Sequence, residues 1–222
     1  VENSGSVLIP TFALGRTQEI ANILARLQES GELVKVPIYI SGLGRAIYEI
    51  YEQFREYLYE NSTLRPLRSF RKMGNVLDKN VVKQLIENPS IIIATSGMMV
   101  ENTPSALIAE KMVTEKHHGI FFVGYVDPDT LGYKLLTSKV GDRLMFQLEG
   151  EPVEVKLQNI KRFHFSGHAY RSTLLKMIDT YHPEHVIIVH GDPPALEWMR
   201  EHLKDKYNCI MPSNGEKITL QI

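Results

Sequence analysis

The chain has 222 residues, 43% of them hydrophobic, enough to bury a sizeable core as one large domain or two small ones. Its net charge of −1 excludes a global cationic field, so any polyanion must be held by a local patch or a metal. The single cysteine, Cys209, excludes a disulfide framework and fits a reducing compartment, and no apolar run is long enough to span a bilayer.

The opening Val1-Glu2-Asn3-Ser4-Gly5 has no methionine and leads almost at once into a strand, as expected of a fragment. Val7 to Ile9 reads as a short apolar strand, and Arg16 to Glu29 as a helix with Ile20, Ile23, Leu24 and Leu27 at helical spacing, stopped by Gly31. Pro37 to Ile40 is the next predicted strand. Ala46 to Tyr59 is the next helix, with Ile47, Ile50, Tyr51 and Phe54 on one face. Asn61 to Asn75 is irregular and basic, and Asn80 to Ile86 a short helix. Ile91-Ile92-Ile93 is an unbroken apolar run, the pattern of a strand covered on both sides. A helix over Pro104 to Val113 and a strand over Gly119 to Tyr125 follow. This alternation predicts an α/β fold with a parallel sheet and helices on both faces. The pattern changes near Gly141, where we place a boundary dividing residues 1–141 from 142–222. Beyond it, Leu144 to Leu148 and Val153 to Leu157 predict a hairpin around Gly150-Glu151-Pro152, and Ile160 to Phe165 a third strand. Leu174 to Tyr181 and Ala195 to Leu203 predict helices on either side of a buried strand, Val186 to Val189.

Two strand ends carry histidines beside glycine and small polar residues: Phe163-His164-Phe165-Ser166-Gly167-His168-Ala169 and Val189-His190-Gly191-Asp192. Backbone turns sharply there and side chains face a cleft, a setting for metal ligation or proton transfer. Three loops at strand ends, Pro10 to Arg16, Ser41 to Arg45 and Thr95 to Met99, combine glycine with hydroxyls ahead of helix N-termini. In a parallel sheet these carboxyl ends form the binding crevice, and the loop chemistry favours a phosphate-bearing ligand.

Taken together, Pro10-Thr11-Phe12-Ala13-Leu14-Gly15-Arg16-Thr17-Gln18-Glu19, Ala94-Thr95-Ser96-Gly97-Met98-Met99, Phe165-Ser166-Gly167-His168-Ala169 and Val189-His190-Gly191-Asp192 resemble the metallo-β-lactamase enzymes that carry a β-CASP domain. The closing Pro212-Ser213-Asn214-Gly215-Glu216 is similar to the end of their RNA-metabolising segment. The resemblance implies a zinc-dependent nuclease of RNA processing, endonucleolytic or 5′–3′ exonucleolytic, with two zinc ions in the intact protein and RNA as its partner. Residues 1–141 would be a β-CASP domain truncated at its N-terminus. Residues 142–222 would be the C-terminal part of the αββα metallo-β-lactamase fold, completed by a missing N-terminal half. His168 matches the histidine implied to protonate the leaving oxygen, and His190 the one implied to bind zinc. His164 and Ser166 resemble a phosphate-binding His-x-Ser-x-His arrangement of the ribonuclease J branch, while Ser96 and Gly97 resemble the loop of the cleavage-and-polyadenylation branch. With Arg16 they make up the implied substrate-binding set.

The family's His-x-His-x-Asp-His signature would lie upstream of Val1, and Tyr170 stands where many relatives have aspartate. A catalytic zinc needs at least three protein ligands, so these residues alone are expected to be inactive. A non-catalytic RNA-binding or scaffold member is the other expectation. A homodimer, a cytoplasmic location and no membrane association complete the reading. Several residues leave two roles open. His164 contacts substrate or packs under its strand, and Asp192 orients its loop or caps the following helix. Met98 and Met99 line a channel or pack an interface. The cluster Arg65, Arg68, Arg71 and Lys72 contacts RNA or is a solvated loop. His117 and His118 are expected in solvent.

Overall fold

The computed structural model describes residues 5–59, 63–147, 149–165 and 167–220. It falls into two compact units along the chain, divided between Gly167 and His168.

The first unit is built on a six-stranded sheet. Its elements are β1 (Val7–Pro10), α1 (Arg16–Ser30), β2 (Ile38–Ile40), α2 (Gly42–Gln53), β3 (Arg71–Lys72), α3 (Lys79–Glu87), β4 (Ile91–Ala94), α4 (Pro104–Met112), β5 (Gly119–Phe122), α5 (Leu131–Thr137), β6 (Arg143–Leu144), β7 (Val153–Glu154) and β8 (Asn159–Arg162). Every pairing in the sheet is parallel, in the order β3-β2-β4-β1-β5-β8. Side chains alternate across it. Leu8, Ile92, Ala94, Ile120 and Phe122 pack with α3, α4 and α5, through residues such as Leu85, Ile108, Met112 and Leu135. Ile9, Ile38, Ile40, Ile91 and Ile93 face the other way, onto Ile20, Ala21 and Ala25 of α1 and Tyr48 of α2. Both faces of the central strands are therefore buried, which is why Ile91-Ile92-Ile93 has no polar interruption.

This topology positions the site. β2 and β1 send their helices to one face, while β4 and β5 send theirs to the other. At each boundary from β2 to β5 the connections part in opposite directions, opening a crevice at the carboxyl edge.

Several elements differ from expectation, beginning with β3, which lies in the segment 61–75 expected to be irregular. The second helix runs Gly42–Gln53 rather than 46–59, starting directly after Ser41 at the end of β2. The helix Leu131–Thr137 had no sequence assignment; Thr130 caps it by accepting from the Tyr133 amide at 3.4 Å, and Leu131 and Leu135, one turn apart, are its buried face. The hairpin shrinks to two residue pairs, Arg143↔Glu154 and Leu144↔Val153, with Leu148 outside the described residues. Finally, the strand expected over Ile160 to Phe165 runs Asn159–Arg162 and is the sixth strand of the main sheet, parallel to β5.

The second unit holds α6 (Arg171–Tyr181), β9 (His185–Ile187), α7 (Pro193–Leu203) and β10 (Asn208–Ile210), with β9 and β10 paired in parallel. The strand expected to be buried is only partly so: Ile188 is covered while Ile187 and Val189 are exposed. Two strands offer too little sheet to cover every apolar side chain of β9.

Candidate functional site

At the carboxyl edge of the first unit the loops after β1 and β4 interlock. The Thr11 amide donates to Ala94 O at 2.9 Å, and the Thr11 and Thr17 hydroxyls share a hydrogen bond of 2.8 Å. Gln18 donates through Nε2 to Ala13 O at 3.0 Å, holding the turn that leads into α1. Ser96 accepts from the Val100 amide at 2.9 Å through its hydroxyl oxygen, which leaves its own proton free to donate to a ligand. Its carbonyl accepts from the Ser105 hydroxyl at 2.7 Å. Gly97 is buried against the β1 loop: a methyl group there would stand 3.0 Å from the Phe12 nitrogen and 3.1 Å from the Phe12 ring. Only a residue without Cβ lets the two loops approach this closely.

Arg16 opens α1 and pairs with Glu19. Its Nη2 lies 3.1 Å from the point where a side chain on Gly167 would begin. His164 is exposed beyond β8, which removes the possibility that it packs beneath the strand. Ser166 lies outside the described residues. The structure thus brings Arg16, Ser96 and Gly97 to one edge of the first unit.

His168 and His190 belong to the second unit. His190 follows β9 with a left-handed backbone (φ 60°), and its imidazole is exposed. The rings of His168 and His190 lie nearly parallel, centroids 6.4 Å apart. Asp192 precedes α7 and its backbone carbonyl accepts from the Ala195 amide at 2.8 Å, while its side chain makes no capping bond.

The implied zinc is tested by its donors. Around His190 no set of three His, Cys, Asp or Glu side chains lies within common reach among the described residues. An exposed imidazole fits one position of a zinc site, but a catalytic zinc needs three protein ligands, which these residues do not assemble. One such group does exist elsewhere. Glu115, His117 and His118, in the loop before β5, place their ligand atoms within 4.8 Å of one another. The geometry of His118 argues against a metal there. Its Nδ1 accepts from the Ser6 amide at 3.0 Å, so the neutral ring carries its proton on Nε2, the atom turned toward Glu115. That nitrogen is a donor, not a ligand.

His118 also corrects the expectation of a solvated histidine, being 1% exposed. Burial first, and then the neighbouring His117, hold its pKa below the ordinary value, against a smaller opposing pull from Glu115. Met99 is fully buried in the core, so it packs rather than lines a channel. In the basic cluster Arg65 pairs with Glu29 and Phe70 packs against Tyr48 at 5.4 Å, which leaves Arg68, Arg71 and Lys72 exposed. The exposed rings of Phe12, Tyr125, Phe163 and Phe165 at the carboxyl edge had no part in the sequence reading. Their signal was an aromatic residue placed directly after an apolar strand and close to a glycine.

No helix among the described residues is long and apolar enough to cross a membrane. The Beta-Casp domain family matches residues 17–135, and the Zn-dependent metallo-hydrolase RNA specificity domain matches residues 152–212. Integrator complex subunit 11 of Gallus gallus is 32% identical over 99% of this chain and 36% of its own length. RNase aCSPSF2 of Saccharolobus solfataricus is 28% identical over 99% of this chain and 42% of its own. Transcription termination factor FttA of Pyrococcus horikoshii is 30% identical over 100% and 36% respectively. The chain therefore spans well under half the length of these relatives. With a parallel sheet of this topology and the two family domains in order along it, the chain belongs to the β-CASP family of metallo-β-lactamase-type proteins.

Proposed function

We propose that the protein is a zinc-dependent RNA phosphodiester hydrolase of RNA processing, endonucleolytic or 5′–3′ exonucleolytic. The observation that carries this reading is the pairing of His168 and His190, rings 6.4 Å apart, inside the segment matched by the RNA specificity domain of zinc metallo-hydrolases. His190 serves as one zinc ligand, with the remaining ligands supplied by the whole protein outside these 222 residues. Zinc in such a site acts as a Lewis acid and lowers the pKa of bound water. His168 holds the proton destined for the leaving oxygen. Arg16, Ser96, Gly97, His164 and Ser166 make up the substrate-binding set, Gly97 acting from beneath Phe12 by letting the β1 and β4 loops close together. Residues 1–141 carry the β-CASP part and 142–222 the metallo-hydrolase segment, a division supported by matched spans that leave residue 141 between them. A cytoplasmic, homodimeric protein completes the proposal.

The test is cleavage of labelled RNA by the intact protein. His190→Ala and His168→Ala are each expected to lower the rate by about 100-fold or more, the weight of a lost general acid or ligand. Chelation should abolish cleavage and added zinc restore it. Residues 1–222 alone are expected to be inactive, and zinc-dependent cleavage by them above a His190→Ala control would contradict the incomplete ligand set. One observation favours a second reading, an RNA-binding scaffold without catalysis. Tyr170 is exposed and makes no side-chain cap for α6, at the position where the resemblance implies aspartate in many relatives. RNA binding by the intact protein with no metal-dependent cleavage would select that reading.

A further inference from the structure

Three neighbouring strands of the first unit, β1, β5 and β8, end in loops that leave aromatic rings in solvent. Phe12 follows β1, Tyr125 follows β5, and Phe163 and Phe165 follow β8; each is between 40% and 48% exposed. Because the strands are parallel and adjacent strands stand about 4.8 Å apart, these rings share one edge of the sheet. Single exposed apolar residues are ordinary, whereas a run of them along an edge marks a binding surface.

Two of the four rings, Phe12 and Phe163, are held in place before any ligand arrives. Phe12 lies over two glycines: a methyl group at Gly97 would come 3.1 Å from its ring, and one at Gly124 would come 3.5 Å from it. Phe163 meets Phe121 edge-on, with centroids 5.5 Å apart at 78°, and its amide donates to Phe122 O at 2.8 Å. Such preorganisation lowers the entropy cost of binding. Cations belong to the same segments, although Arg16 is already paired with Glu19. Arg16 opens α1 next to Gly167, and Lys161 and Arg162 are exposed on β8. The other exposed apolar residues of this edge, Leu14, Leu43 and Val100, are aliphatic and belong to the β1, β2 and β4 loops. Over β5 and β8 every one is aromatic.

We propose that this edge is a stacking platform for the unpaired bases of single-stranded RNA. Phe12, Tyr125, Phe163 and Phe165 contact base faces, and Arg16, Lys161 and Arg162 face the phosphates. The proposal rests on the RNA reading above and adds to it the residues that recognise bases. Aromatic–base stacking tolerates any sequence, since every base has a π-face, and it excludes duplex RNA, whose bases are already stacked inside.

The experiment measures binding by fluorescence anisotropy, using the intact protein under chelation so that nothing is cleaved. Three labelled probes are compared: oligoadenylate of about twelve nucleotides, the same length with abasic sites, and an RNA hairpin without a tail. The variants are Phe12→Leu, Tyr125→Leu, Phe163→Leu and Phe165→Leu, with Phe12→Trp as the stacking-competent control. Each Leu variant should weaken oligoadenylate binding about fivefold or more, the weight of one stacked base, and leave the abasic probe unchanged. Phe12→Trp should bind as the wild type does. Equal losses on abasic and base-bearing probes, or no loss on either, overturn the platform while leaving the RNA reading standing. Leu variants that change oligomeric state or thermal stability but not RNA affinity mark a protein-packing surface and overturn it too. If the unmodified protein binds none of the three probes, the RNA reading fails and the platform fails with it.

Discussion

His118 shows how a single side chain can invert its expected role. Its sequence neighbours, Lys116, His117 and Gly119, describe a polar loop, and nothing local announces burial. Burial comes from a partner 112 residues away, the Ser6 amide at the start of β1, which donates to Nδ1. Burial and then the neighbouring His117 disfavour the charged ring and lower its pKa, and protonating Nδ1 would in addition remove the acceptor of the Ser6 amide. In the unfolded chain the ring titrates near its ordinary value of 6.5. The contribution of His118 is therefore complete above about pH 6.5 and is lost as pH falls from there toward the depressed folded value. Urea unfolding at pH 7.5, 6 and 5 is expected to show this loss, and a shallower decline in His118→Gln. An unchanged pH dependence in the variant would remove His118 from the account. The same long-range logic explains why the motif residues were easier to read than their surroundings. His168, His190, Ser96 and Gly97, for which we propose roles in RNA cleavage, stand in short local sequence patterns. The seat of Phe12 on Gly97 and Gly124 depends on three strands coming together.

Among the elements, α1 and α2 are joined through one buried phenol. Tyr48 donates to Arg65 O at 2.8 Å and accepts from Asn22 Nδ2 at 3.0 Å, linking both helices to the segment before β3. Burial, the largest influence, pushes its pKa up to about 12. Tyr48→Phe keeps the ring and strands two polar partners, so it is expected to destabilise the first unit by ~1–3 kcal/mol, measured by chemical denaturation. A loss below about 0.3 kcal/mol would mean that water replaces the phenol at no cost. Most elements here were legible because their apolar spacing is strong: Ile20, Leu24 and Leu27 on α1, and the triple isoleucine of β4. The helix at Leu131–Thr137 was not, because seven residues hold barely two turns and only one apolar repeat. The pairing of β8 with β5 was equally hidden. Strand neighbours are chosen by crossover geometry, to which residue periodicity is blind.

On the scale of the whole molecule the two units are unequally covered. β1 and β4 are buried on both faces, whereas α6 has no buried residue and Ile187 and Val189 stand open beside β9. Opening free energy follows such burial. Hydrogen exchange is expected to be slowest at the amides of Leu8, Ile92 and Ile93, and markedly faster across α6 and β9. Protection of β9 equal to that of β4 in residues 1–222 would contradict this. The parallel sheet with helices on both faces was legible from the alternation of elements, while the division at Gly167 was not, since no linker composition marks it. The outermost strands, β3 and β8, each end in two adjacent cations, Arg71-Lys72 and Lys161-Arg162, and β3 is only two residues long. An open sheet edge is a template on which further chains can grow. Here both edges are short or charged, so two copies approaching edge to edge meet like charge before backbone can pair. A sheet of six parallel strands is thereby guarded against fibre-like self-assembly, even during the slow, long-range folding that such a topology demands.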